Sequence, residues 1–327
     1  IFIQTFRVCK ETSTSMSRLF VTITIILLMA VLTISGTAQK PKSKDDAFRE
    51  IASLSKTQKP EDMDKAYDLG KDFLTRFGKD KDDQVKKIST FVENYRMRKF
   101  YQAVDGKKYP ETFALGKEIL AEQPDNSEVL MNLAYTGYNS YSSNRDRTYA
   151  DESIGYARKA IELFDAGKYP KQFAPFKDKV EASAFLHFID GTLLFDVDKK
   201  AGAAEIYKAA QYDSMVKNSG DTYSVLATYY EGLYEKSSND LKARSVAKTV
   251  SDADFKSETE RINKIIDQMM DAYARAVKRG EAEKNPNAPQ WRQRLVEVYK
   301  FRNKSDAGLD AYIDVANNSP LPDPSKF

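Results

Sequence analysis

Six times along this 327-residue chain a triplet of residues returns at a fixed helical spacing. A small residue, once Met, is followed four places on by a Tyr or small residue and three later by a small or apolar one. The copies are Ala66/Gly70/Phe73, Thr112/Gly116/Ile119, Ser153/Ala157/Ala160, Ala203/Tyr207/Ala210, Met269/Tyr273/Ala276 and Gly308/Tyr312/Val315. Steps of four and three keep all three residues on one face of a helix, and small side chains there admit a neighbouring helix at close range. Most copies stand about 40 to 50 residues apart, a period that predicts stacked helical hairpins rather than one closed core. No run of alternating β-branched residues and no Asn-Gly hairpin between such runs argues for strands. The expected fold class is therefore all-α.

The leading residues read differently. From Met16, Arg18 supplies a positive start, Leu19 to Ile34 an apolar stretch and Gly36-Thr37-Ala38 a small-x-small cleavage site, the arrangement of an export signal. Sixteen residues, three of them Thr, fall short of the roughly 20 that a membrane span needs. We expect residues 1–38 to be a signal peptide with an upstream extension, the alternative being an inner-membrane anchor through 19–34. Residues 39–44 then form a linker, 45–324 the helical repeat domain and 325–327 a tail. Beyond residue 38 the balance is 48 basic to 47 acidic residues, with no nucleic-acid footprint in net charge. The one cysteine, Cys9, precedes the apolar stretch. The exported chain thus has no disulfide, thiolate ligand or cysteine nucleophile, in keeping with a periplasmic or extracellular setting.

Particular segments sharpen the hairpin pattern. Helices are expected near Asp45–Ser55 and Pro60–Phe77, the second opening with Pro and an acidic residue as N-terminal turns prefer. Ile88, Phe91, Val92 and Tyr95 begin a third, broken at Asp105-Gly106, and Tyr109 to Glu122 a fourth. The junction Pro124-Asp125-Asn126-Ser127-Glu128-Val129-Leu130-Met131-Asn132-Leu133-Ala134 resembles that between two tetratricopeptide repeats. Glu152 to Leu163 is similar to that family's second helix, and Asp221 to Tyr230 to its first. The resemblance covers about residues 45–324 and implies a right-handed α-solenoid of about six helix-turn-helix repeats. Departures are Gly137 in place of a family Tyr, a lengthened turn at Asn139–Arg147, a half-repeat insertion at Ser237–Asp254, and Trp291 and Leu295 set one residue too far apart. Insertions in such arrays map to loops and to binding faces.

In the third repeat Leu130, Leu133, Ala134 and Gly137 form the inward stripe. At 100° per residue the opposite stripe is Glu128, Met131, Tyr135, Tyr138 and Ser142. The fifth repeat offers Asp221, Ser224, Thr228 and Glu231. By position in tetratricopeptide arrays these stripes line a concave groove that holds peptides or partner helices, so Glu128, Met131, Tyr135, Tyr138, Asp221, Ser224, Thr228 and Glu231 are the candidate partner-binding residues. Most of the 19 tyrosines, including Tyr207, Tyr230, Tyr273 and Tyr312, fall at inter-helix packing positions.

Chemistry is sparse. His187 is the sole histidine and lies in an apolar stretch, where a buried, hydrogen-bonded side chain is expected. One His and no downstream Cys leave out thiol catalysis and multi-His zinc sites. No Gly-x-Ser-x-Gly elbow, phosphate loop or dinucleotide fingerprint occurs. Asp196/Asp198 and Asp252/Asp254 sit where Asp caps helices, and Lys79 to Asp83 lacks the Gly and Glu of a calcium loop. The expectation is a non-enzymatic adaptor of the bacterial envelope that binds a protein or peptide, uses no cofactor or metal and binds no nucleic acid. It would meet the membrane only through an uncleaved leader. The alternatives are a carbohydrate- or small-ligand-binding accessory protein using the same tyrosines and carboxylates, and a carboxylate-based hydrolase.

Overall fold

The structure, a computed structural model, describes residues 42–327. The expected signal segment and the first half of the linker lie outside the described residues. Among the described residues all regular structure is helical. The chain divides into two compact units, one ending at Val92 and the other running Glu93–Phe327.

In the first unit α1 (Lys44–Lys56) packs on α2 (Pro60–Phe77). Ser43 caps α1 by accepting from the Asp46 amide, and Pro60 opens α2, where its missing N–H costs nothing. Ile51, Met63, Ala66, Tyr67 and Phe73 form the buried face, joined by Val85, Ile88 and Val92 from the first part of α3 (Asp83–Asp105). The first triplet is thus wholly buried.

The second unit continues from α3 through α4 (Tyr109–Glu122), α5 (Ser127–Asn144), α6 (Ala150–Asp165), α7 (Lys179–Leu194), α8 (Lys199–Ala209) and the single turn α9 (Met215–Asn218). Then come α10 (Gly220–Val246), α11 (Asp252–Ala282), α12 (Ala288–Asn303), α13 (Leu309–Asn318) and a 3-10 turn at Pro324–Lys326. Side-chain caps start several of them: Asn126 accepts from the Val129 amide, Asp178 from Val180 and Glu181, Asp198 from Ala201, and Ser251 from Asp254. Each satisfies amides that a helix start leaves without partners.

Packing runs between near neighbours. Strong contacts join α4 to α5, α5 to α6, α6 to α7, α7 to α8, α10 to α11 and α11 to α12, with next-but-one contacts of α5 with α7 and α11 with α13. The core is accordingly a string of clusters rather than one centre, with Leu120 and Tyr156 packed against two of them. One connection reaches further. The 3-10 turn folds back on α8, Phe327 meets the Tyr230 ring edge-on at 6.3 Å, and Lys200 Nζ donates to the Phe327 carbonyl.

Small residues set the spacing. A Cβ on Gly202 of α8 would stand 2.8 Å from the Gly191 carbonyl oxygen of α7, and one on Gly191 would stand 2.9 Å from the Gly202 carbonyl oxygen. Backbone meets backbone there, with no flexible atom able to yield.

Three sequence expectations are modified. The sixth triplet is displaced by one residue: Gly308 adopts a left-handed φ of 84° outside the helix, Val315 is 63 % exposed, and the buried set is Leu309, Ile313 and Ala316. Asn139–Arg147 is mostly helix rather than turn, because α5 runs on to Asn144 and ends at Arg145 (φ 56°). The Ser237–Asp254 insertion lengthens α10 and shifts the start of α11 rather than forming a long loop, leaving a turn at 247–251.

Replacing Gly202 with Ala is expected to destabilise the fold by about 1–3 kcal/mol, read as a lowered urea midpoint. Gly155→Ala, where a Cβ meets nothing within 4 Å, is the control expected to leave the midpoint unchanged or raised.

Candidate functional site

Helix α5 is buried nearly all round. Val129 to Ala134 have no appreciable exposure, because α4, α6 and α7 all pack on it and the 173–176 stretch crosses the remaining side. Asn132 Nδ2 reaches the Ala174 carbonyl at 3.4 Å, and the Phe176 ring meets Tyr135 edge-on at 5.5 Å. Met131 is therefore core, and the outward facing predicted for it does not hold. The spacing argument placed it opposite Leu130 and Leu133 correctly, but a second wall of protein covers that side.

The other predicted residues fall into three places. Glu128 accepts a hydrogen bond from the Tyr101 hydroxyl and lines a shallow pocket of about 580 Å³ with Asp125, Tyr169 and Lys171. Tyr138, Asp221 and Ser224 come together in a larger open pocket of about 810 Å³ between α5, α7, α9 and the start of α10. Thr228 and Glu231, further along α10, line a third pocket of about 530 Å³ with Tyr273, Trp291 and Arg294. The stripe Asp221, Ser224, Thr228, Glu231 thus opens at one end to α5 and α7 and at the other to α12.

The walls of the large pocket contain groups that sequence reasoning missed. Phe185 and Phe188 of α7 extend the aromatic surface of Tyr138: Tyr138 meets Phe188 edge-on at 5.8 Å, Phe188 meets Phe185 at 6.1 Å, and Phe185 stacks on Phe176 at 5.1 Å. With Tyr135 this makes a continuous row of five half-buried or buried rings. Both phenylalanines occupy the second side of an apolar helix, a signal that a one-face reading discards.

Polar groups flank the row. Burial pushes the Asp221 carboxyl up, opposed by an amide hydrogen bond from Asn285 at 3.1 Å and reinforced by Glu283. Glu283 itself accepts from the Gly220 amide at 2.9 Å. Burial, and then the Asp221 charge, raise the Tyr138 phenol. Arg145 donates to the Tyr141 hydroxyl at 3.0 Å, which donates in turn to Asp196 at 2.8 Å. The Arg145 guanidinium forms no ion pair among the described residues. Thr192 Oγ1, in the same wall, is buried without a hydrogen-bond partner among the described residues. An aromatic floor with both signs of charge and free hydroxyl capacity binds amphipathic groups by contact area and hydrogen bonds.

His187 lies apart from this pocket. Its Nδ1 is 2.7 Å from Glu205 Oε2, whose other oxygen accepts from Lys208 at 2.7 Å, and Tyr212 stacks on the imidazole at 5.8 Å. The histidine is buried and hydrogen-bonded, as its setting in the sequence predicts. Nearby, Asp190 is buried and accepts from Arg158 at 2.9 Å. Among the described residues no group of three or more His, Cys, Asp and Glu side chains is arranged to hold a metal. No described helix is long and apolar enough to cross a membrane. No family of known proteins, no curated protein and no solved structure matches the chain.

Burial raises the Glu205 carboxyl, but the bonds from His187 and Lys208 outweigh it and hold the group below its ordinary value. A depressed folded-state value contributes stability above the unfolded carboxylate range, and that stability is lost as pH falls through the folded value. Glu205→Gln is therefore expected to cost about 1–3 kcal/mol near neutral pH and to fall less in Tm than the parent as pH drops through the acid range, measured by calorimetry on both.

Proposed function

We propose that the chain is a non-enzymatic, tetratricopeptide-type adaptor of a bacterial envelope that holds a protein partner along the exposed side of its first helices. The finer architecture, a right-handed solenoid of about six hairpins, belongs to the same proposal. It is supported by the neighbour-to-neighbour packing and by the buried triplets of most repeats. The observation that carries the functional reading is the α10 stripe. Asp221, Ser224, Thr228 and Glu231 run between two pockets to which α5, α7, α10 and α12 all contribute. Side chains drawn from four helices along one side suit an elongated partner better than a single small molecule. The row of rings supplies rigid contact area at modest entropic cost.

A second reading draws on the large pocket itself. An aromatic floor with Asp221, Glu283, Asn218 and Arg145 in its walls offers ring faces and bidentate partners to a carbohydrate or another small polar ligand. Export, and with it the periplasmic or extracellular setting, rests on the leader sequence.

A photo-activatable residue at Ser224 is expected to cross-link a protein partner in intact cells, whereas the same residue at exposed Glu118 on α4 does not. Equal labelling from both positions would overturn the assignment of the face. Ser224→Arg combined with Thr228→Arg, at a half-buried and an exposed position of the stripe, should lower capture of that partner by about tenfold or more while shifting Tm little. A thermal shift with oligosaccharides, abolished by Asp221→Asn and without any cross-linked protein, would instead establish the second reading.

A further inference from the structure

The half-repeat insertion builds a second surface, away from the pockets above. Helices α10 and α11, of 27 and 31 residues, outrun the other helices of the second unit. Their extensions pack on each other through Ser237, Leu241 and Ile262. The side facing away from that contact carries large apolar groups: Val246 is 78 % exposed and Phe255 44 %, and Phe301 of α12 is 56 % exposed. Between them runs a groove of about 460 Å³ whose floor holds Leu241, Ile262 and Ile266. Tyr234 meets Phe301 edge-on at 6.4 Å at one side.

Its charge is one-sided. The groove is lined by one charged residue, Lys242, and by no carboxylate. Lys304 sits over the Phe301 ring at 5.2 Å. Neither lysine forms an ion pair among the described residues. Of the acidic residues nearby, Asp240 pairs with Arg244 at 2.9 Å and Glu258 with Arg261 at 3.1 Å, while Asp252 and Asp254 lie outside the lining, in the first turn of α11.

We infer that this groove docks an acidic amphipathic helix of a partner protein, its apolar side chains entering the recess and its carboxylates meeting Lys242 and Lys304. Two packed helices offer no strand edge to an extended peptide, whereas ridges of an incoming helix fit between theirs. A planar lipid surface does not reach the recessed Leu241, Ile262 and Ile266; a partner side chain does. The surface is separate from the first-helix face, so either can fail alone.

The test uses the full chain and a labelled synthetic peptide of about 18 residues, or five helical turns, with Leu at i, i+3, i+4 and i+7 and Glu elsewhere. Anisotropy is expected to report binding that weakens about tenfold or more in Phe255→Asp. It should weaken similarly when Lys replaces Glu in the peptide. The double variant Lys242→Glu/Lys304→Glu should reverse that preference and bind the Lys peptide, a gain that misfolding does not produce. All three positions are exposed or on the rim, so Tm serves as the folding control. Equal affinity for both peptides, or affinity indifferent to Phe255→Asp, overturns the inference. So does sedimentation with equimolar phosphatidylglycerol–phosphatidylcholine vesicles that Phe255→Asp abolishes without peptide binding. A concentration-dependent dimer lost in that variant also overturns it, since the occupant is then a second copy.

Discussion

Everything in the second unit depends on helices approaching so closely that backbone meets backbone. Between α7 and α8 this happens at Gly191 and Gly202, where the carbonyl oxygen of each crowds the place a side chain on the other would need. Close approach lets a short helix bury a whole face against its neighbour. The unit is then built of several clusters rather than one, the widest running from α8 to α13. Most of the packing in each cluster comes from helices near one another in the chain.

That economy explains where binding surfaces arise. A helix in a string has one face against its pair, one against the next hairpin and one left over. On α5 the leftover face is largely covered by the 173–176 stretch, which converts Met131 into core and leaves Tyr135 and Tyr138 half-buried against Phe176 and Phe188. On α10 it stays open from Asp221 to Glu231 and then continues into the exposed apolar tip at Val246. One helix therefore serves two surfaces of different character, the first mixed in charge and aromatic, the second apolar with a cationic rim.

The all-helical class, the ends of α2 and α4, and five of the six triplets' faces were legible in the sequence, because helical spacing, Pro, Asp and Gly act locally. His187 as a buried partner was legible for the same reason. The aromatic row was not: Phe176, Phe185 and Phe188 lie on two segments, and their meeting with Tyr138 is set by how α7 lies against α5. The sixth triplet slipped by one residue because Gly308 served as the left-handed cap rather than the first packing position, and Tyr312 and Val315 read equally well in either register.

The two insertions draw the boundary most clearly. From residue order alone Ser237–Asp254 is extra chain with polar and apolar residues mixed, and its composition admits loop or helix. The structure makes it helix, since Leu241 and Ile262 bury each other across the pair and turn Val246 and Phe255 outward. The sequence by itself determined that this chain forms helices and which residues let them touch, because those are short-range consequences of spacing and side-chain size. Only the tertiary structure decided which faces remained uncovered, because exposure depends on every segment that packs from elsewhere in the chain.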